Sequence, residues 1–241
     1  MQSKKTSATK ISNDSYFVRV GKQILFYPKE AKVKSLHLHH PLENLSNRFF
    51  KRSFDIVFSL TVILFILSWV IPMLSILVII DSGWPVFFIQ DRHGLNSTTF
   101  KCVKFRTMVK NNESHTRQSS ANDERITKLG RIMRKYNLDE LPQFFNVLVG
   151  DMSVVGPRPH MKKHTLEYEE LIPYYRERLL VKPGITGLAQ ACGNHGPTPT
   201  LLDMKHRVDY DLFYVRNWNF GLDIKLTVGT FLNIFHSSFH K

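Results

Sequence analysis

The 25 residues Ile56–Ile80, IVFSLTVILFILSWVIPMLSILVII, carry no formal charge. As a helix rising about 1.5 Å per residue, such a run is long enough to cross a hydrocarbon core of roughly 30 Å. It starts too far from the N-terminus for an ordinary signal peptide, and no small-residue cleavage site follows it. Lys51 and Arg52 precede it, with Asp55 one turn in, where an ion pair at the membrane interface is cheaper than a carboxylate deep in lipid. Pro72 lacks a backbone donor and crowds the carbonyl four residues back, at Ser68, so a bend or break is expected there. Two readings stand: a single-span anchor with a tolerated kink, or a re-entrant hairpin that enters and leaves on one face, its broken backbone satisfied by protein or water.

Charge falls mostly on one side of this run. The chain has 33 Lys/Arg against 20 Asp/Glu, a net +13, and residues 1–52 hold 11 of those bases against 3 acids. Basic charge before an apolar segment is the pattern of a cytoplasmic flank and suits anionic lipid, with nucleic acid as the plainer alternative. The two cysteines, Cys102 and Cys192, have no metal-ligand spacing, so no disulfide or zinc site is expected and a reducing compartment fits.

Outward from the run, residues 1–15 are polar and expected to be disordered, and Tyr16–Tyr27 alternates weakly as a hairpin does. His37, His39 and His40 read as surface residues in a loop. After residue 81 the chain becomes globular. Strands are expected at Val86–Gln90 and Phe100–Phe105, a polar loop at Val109–Glu124, and a basic helix at Ile126–Tyr136. Further helices are expected near 141–149, 162–180, 201–216 and 222–236, the last two apolar enough to lie against a bilayer or in an ordinary core.

The chemistry-bearing stretch is Asn137–Pro159, NLDELPQFFNVLVGDMSVVGPRP. Neighbouring helical residues point about 100° apart, so Asp139 and Glu140 share a target only at a helix end or turn. Asn137, Glu140 and Pro142 also fit a capping box, which would make the acids mere complements to a helix dipole. Gly156-Pro157-Arg158-Pro159 holds one arginine in a stiff loop, suited to bidentate phosphate contact or to a buried ion pair with Asp151. Lys104 and Arg106, in KCVKFRTM, share one side if that piece is a strand. The turn Val181–Gln190 reads as loop geometry alone. Carboxylates, fixed cations and a membrane segment together point to phosphoryl chemistry on a lipid substrate, the carboxylates acting as Mg²⁺ ligands or nucleophiles.

The linked motifs KRSFDIV, PVFFIQDRHGLN, FKCVKFRTM, LGRIMRKYNLDELPQFFNVLVGDMSVVGPRP and YYRERLLVKPGITGLAQ, in that order over about residues 48–236, resemble the bacterial sugar transferase family. These are monotopic polyprenyl-phosphate phosphoglycosyl transferases. The resemblance implies an α/β-like, mostly helical fold: a basic extension at 1–47, a re-entrant helix–break–helix at 48–81, and a cytosolic catalytic domain with interfacial amphipathic helices at 82–241. It implies transfer of a sugar 1-phosphate from a UDP-sugar to undecaprenyl phosphate with release of UMP, at the cytoplasmic face of the bacterial inner membrane. By the same resemblance Asp139 is the nucleophile that holds a covalent phosphosugar, Glu140 the Mg²⁺ ligand, and Lys104 and Arg158 phosphate contacts; Arg106, on the strand side shared with Lys104, is expected to be a further phosphate contact. Partners are then undecaprenyl phosphate, a nucleotide sugar and inner-membrane lipid, with a homo-oligomer compatible and no nucleic acid.

Two places depart from the family pattern. The usual Ser-Pro break is replaced by Ser68-Trp69, with the proline four residues beyond Ser68. An arginine common after Gly187-Leu-Ala-Gln190 gives way to Asn194-His195, which leaves the sugar undefined. The rival reading is a non-catalytic, membrane-tethered basic scaffold or nucleic-acid-binding module.

Overall fold

A computed structural model describes residues 15–20 and 23–28 as backbone, then 39–110, 123–194, 196, 198 and 200–239, with side chains from 39 to 232 within those ranges. The expectations for residues 1–14, His37, most of the polar loop at 109–124, and His195 lie outside the described residues. Strands β1 (Ser15–Val20) and β2 (Gln23–Pro28) form the expected antiparallel hairpin, Tyr16 facing Tyr27.

The apolar run folds as one helix, Leu45–Ser82, the single stretch among the described residues long and apolar enough to cross a membrane. It comprises α1 (Leu45–Val62), a π-helical turn at Ile63–Leu67, and α2 (Ser68–Ser82) with Pro72 inside. No non-helical residue interrupts it, so the expected break is replaced by a widened turn just before the proline. The physical reason is local: Pro72 cannot donate and presses on the preceding turn, and a π-turn absorbs that misfit without opening the helix. Thr61, Ser68 and Ser75 return their hydroxyls to the carbonyls of Val57, Leu64 and Ile71, which removes their polar groups from the apolar surface.

The burial of this helix is inverted. The α1 face turned into the protein is polar, with Lys51, Asp55 and Ser59 buried at four-residue spacing. The outward face is apolar, and Phe65, Trp69 and Ile80 are 76%, 79% and 77% exposed. The buried charges are all partnered: Lys51 donates to Asp223 (2.7 Å), Tyr214 and the Val155 carbonyl, while Asp55 accepts from Ser153 Oγ and the Val154 N–H. Further along, Leu67, Leu74 and Val78 enter the core. Both ends of the helix therefore grip the same globular body, at sites 27 residues apart from Lys51 to Val78.

That body contains two small two-stranded sheets and packed helices. Strands β3 (Phe87–His93) and β4 (Thr99–Phe105) pair antiparallel, with Arg92 opposite Phe100 and Phe88 opposite Lys104. Helices α3 (Lys128–Lys135) and α4 (Gln143–Val149) follow. Strand β5 (Ser153–Val155) pairs parallel with β6 (Gly184–Thr186), separated by α5 (Lys162–Leu171) and a 3-10 turn at Tyr175–Leu180. Short α6 (Leu188–Ala191), then α7 (Leu201–Asn217) and α8 (Phe220–Phe239), complete the chain. The region is mostly helical, and the strands and helices expected from periodicity are present within a few residues, except that 162–180 divides in two. A side-chain capping box opens α7 at Thr200 and Asp203. On α8, Phe220, Ile224, Val228 and Phe231 leave an apolar stripe exposed.

Candidate active site

Asn146 on α4 joins the site to the sheet. Its carboxamide accepts from the Val103 N–H (3.0 Å) and donates to the Lys101 carbonyl (2.8 Å), as a neighbouring strand would. This brings the start of α4 against β4, where Phe100, Cys102 and Lys104 alternate onto one face. Phe100 and Cys102 enter the core, and Lys104 reaches the acids.

Asp139 and Glu140 lie on a 3-10 turn, Leu138–Glu140, ahead of α4. Asn137 is left-handed (φ 56°) and its side chain makes no cap. The capping-box alternative thus fails, because Glu140 does not reach back along the chain. Its carboxylate instead meets Lys104 Nζ (2.5 Å) and both Arg158 terminal nitrogens (2.6 and 3.0 Å). Burial alone would raise the Glu140 carboxyl, but Arg158 and Lys104 outweigh it and hold it well below the ordinary carboxylate range. Asp139, 8% exposed, makes no hydrogen bond among the described residues. Burial pushes its carboxyl up, Lys104 opposes this, and the Glu140 charge reinforces it. The pair therefore divides into a permanently ionised carboxylate clamped by cations and a second one with open oxygens.

Arg158 does not pair with Asp151, which receives Asn146 instead. Its loop rests on the 181–190 turn, which is more than loop geometry: Gly156 N–H donates to the Thr186 carbonyl and Gly184 N–H to the Pro157 carbonyl. A Cβ on Gly156 or Gly184 would strike the opposing backbone, so both positions are glycine for close approach. From the other side, Arg178 donates to the Arg158 carbonyl (2.6 Å) and is anchored on Asp211 (2.6 Å). Arg92 reaches the Pro159 carbonyl and Gln90.

Arg106 is not part of this group. Its guanidinium donates to the carbonyls of Ser82 (2.7 Å), Gly83 and Trp84 and to the Ser82 hydroxyl, and so satisfies the last carbonyls of the long helix. The strand ends at Phe105, and one residue beyond it the alternation no longer governs direction. Its expected phosphate contact finds no geometric support. Glu140, the expected Mg²⁺ ligand, has Lys104 and Arg158 on Oε1 and Arg158 alone on Oε2, so Oε2 keeps a lone pair for a cation that would also take substrate phosphate oxygens. Sequence reading missed Arg92, Arg178 and Asp211, whose signal, arginines and an acid in otherwise apolar surroundings, emerges only when the chain is folded.

The site thus sets paired carboxylates of opposite electrostatic character beside fixed cations, on the flank of a helix that shows its apolar face outward. The family model for bacterial sugar transferases matches residues 46–237, and the chain belongs to that family. It is 46% identical over 202 residues to a Klebsiella pneumoniae UDP-glucose:undecaprenyl-phosphate glucose-1-phosphate transferase, covering 83% of this chain and 42% of that one. It is 43% identical to the Rhizobium leguminosarum exopolysaccharide production protein PSS, covering 75% and 92%. It is 36% identical to an Aeromonas hydrophila UDP-N-acetylgalactosamine-undecaprenyl-phosphate N-acetylgalactosaminephosphotransferase, covering 85% and 49%. The chain thus spans less than half the length of two of these relatives.

Proposed function

We propose that this chain transfers a sugar 1-phosphate from a nucleotide sugar, UDP-linked as in the names of its relatives, to undecaprenyl phosphate, the first membrane step of a surface polysaccharide. The observation that carries the mechanism is Asp139, a buried carboxylate with unengaged oxygens beside a Glu140 already neutralised by Lys104 and Arg158. Asp139 attacks the sugar-bearing phosphorus. An aspartyl–phosphate bond forms, and the bond to the nucleoside monophosphate breaks with its electron pair on the leaving oxygen. A polyprenyl phosphate oxygen then displaces Asp139, which returns as a carboxylate. Lys104 and Arg158 hold their cations where the phosphoryl oxygens gain charge. Glu140 would hold a Mg²⁺ ion through Oε2, and the ion would add to the positive charge that offsets the phosphoryl oxygens. The test is a screen of nucleotide sugars with the purified chain: the matching donor should yield nucleoside monophosphate stoichiometric with enzyme before lipid is added, and catalytically afterwards. Release that strictly requires lipid would overturn the covalent intermediate.

The same reading places the apolar helix in one leaflet of the inner membrane, with both ends and the catalytic part at the cytoplasmic face. What supports it is the grip of one polar body on both ends of the helix, since a transbilayer path would drag that body through hydrocarbon. Single cysteines at Ser46 and Asp81, in a background lacking Cys102 and Cys192, are expected to resist an impermeant thiol reagent in spheroplasts and to react after permeabilisation. Labelling of one end from outside would establish a span instead.

A further inference from the structure

Beyond Arg158, on the side away from Glu140, lies a second group of buried polar side chains that the proposed chemistry does not use. Helix α7 buries Arg207 to 5% exposure between Met204 and Val208. The acids on its own helix are engaged elsewhere: Asp203 accepts from Thr200, Asp209 from Tyr174, and Asp211 gives Oδ2 to both Nε and Nη2 of Arg178 (2.9 and 2.6 Å). Arg207 has no carboxylate partner among the described residues; its one recorded bond runs from Nη2 to the Gly196 carbonyl (2.5 Å), and its buried Nε has none. Thr198 Oγ1, two residues past Gly196, and His160 Nε2 are also buried without partners. Burial, then Arg178, Arg207, Arg92 and Arg158 in turn, keep the His160 imidazole uncharged. The guanidinium groups of Arg92, Arg158, Arg178 and Arg207 all act on His160. Arg158 is ion-paired with Glu140 and Arg178 with Asp211, whereas Arg92 and Arg207 form no ion pair among the described residues. A buried guanidinium without a counter-charge is costly, and an arriving anion relieves that cost.

Position within the fold selects which anion. The acids sit on the flank of the long helix, since Leu138 and Leu141 on either side of them pack with Leu74 and Val78. Arg207 lies in a different cluster, with Ile172, Tyr175, Met204, Val208 and Leu212, that contains no residue of Leu45–Ser82. A lipid phosphate drawn from along the long helix would reach the acids from the first side, which leaves the second for a water-soluble nucleotide. Resting on the transferase reading above, we propose that Arg207 is the binding residue for the departing nucleoside monophosphate, with Arg158 shared between the two phosphates of the donor. As the phosphorus–oxygen bond to the nucleotide breaks, the leaving phosphate gains a negative charge, and the Arg207 guanidinium is already held beside it. The lipid half of the reaction contains no such leaving group and does not need Arg207.

Two isotope exchanges separate the halves in the full chain: labelled nucleoside monophosphate into nucleotide sugar without lipid, and labelled polyprenyl phosphate into its sugar diphosphate without nucleotide. Arg207→Gln is expected to slow the first about 10²–10³-fold and leave the second within about threefold. Arg207→Lys keeps the charge and the reach to the Gly196 carbonyl but loses the planar fork, and is expected to slow the first exchange about tenfold, with the second unchanged. Should the Gln variant fail to fold, the Lys variant carries the test. Equal slowing of both exchanges, or an unaltered nucleotide exchange, overturns the assignment. A wild-type chain silent in both exchanges would instead remove the transferase reading on which the assignment rests.

Discussion

Asp139→Asn is expected to lower sugar-phosphate transfer by at least about 10⁴-fold, the scale seen when a covalent nucleophile is removed. It should also leave a chain that is more heat-resistant than the parent at neutral pH. The carboxyl of Asp139 titrates above its ordinary value of 3.8, first because it is buried and then because Glu140 is charged beside it. A raised folded value means that the group favours the folded state while protonated, below the unfolded value, and that this advantage is lost as pH rises through the folded value. At pH 7 the ionised Asp139 is therefore a cost, which the neutral amide removes. The advantage of the Asn variant should shrink on acidification and vanish only below pH 3.8, where the wild-type carboxyl is protonated in both states. Thermal unfolding in detergent across pH, beside the donor assay, checks both halves. A variant that is inactive but less stable at pH 7 would mean that Asp139 serves the architecture.

Glu140→Gln is expected to behave in the opposite way. Lys104 and Arg158 would face a neutral amide while 15% and 22% exposed at their side chains, leaving cations without compensation. Breaking a buried ion pair in this manner costs about 3–5 kcal/mol, or roughly 6–20 °C in Tm for a chain of this size. Because the folded Glu140 titrates below its ordinary 4.5, its contribution is present above that value and lost as pH falls through the folded one. The deficit of the Gln variant should hold from pH 8 to about 5 and close only in stronger acid. A deficit confined to activity, with an unchanged melting curve, would contradict the clamp described above.

How much of this was legible in the linear chain follows from how local each signal is. The apolar run, the strand pair around Gly94, and the helices at α3, α4, α7 and α8 are written in short-range periodicity, so they could be read directly. Asp139 and Glu140 stood out as neighbours, but their division of labour did not, because it depends on Lys104, 36 residues upstream, and Arg158, 18 downstream. Arg106 was misread for the same reason: its environment is set by the end of a helix 22–24 residues earlier. Glycines at 156 and 184 looked like ordinary turn residues until the two loops were seen back to back. The π-turn at Ile63–Leu67 leaves no trace in composition, since its five residues are aliphatic or aromatic like most of the run around them.

The polar inner stripe of α1 has a consequence for how the protein is made. Lys51 finds its counter-charge at Asp223, 172 residues later, and Asp55 is satisfied by backbone and hydroxyl almost 100 residues away. At about 5–20 residues per second, roughly ten to thirty seconds of synthesis separate the emergence of Lys51 from that of its partner. For most of that interval the apolar run is complete, while Lys51, just before it, still lacks the carboxylate that it meets in the folded chain. The charged end of the long helix can therefore be locked in place only after α8 has been made, so the first helix of the fold is completed by its last.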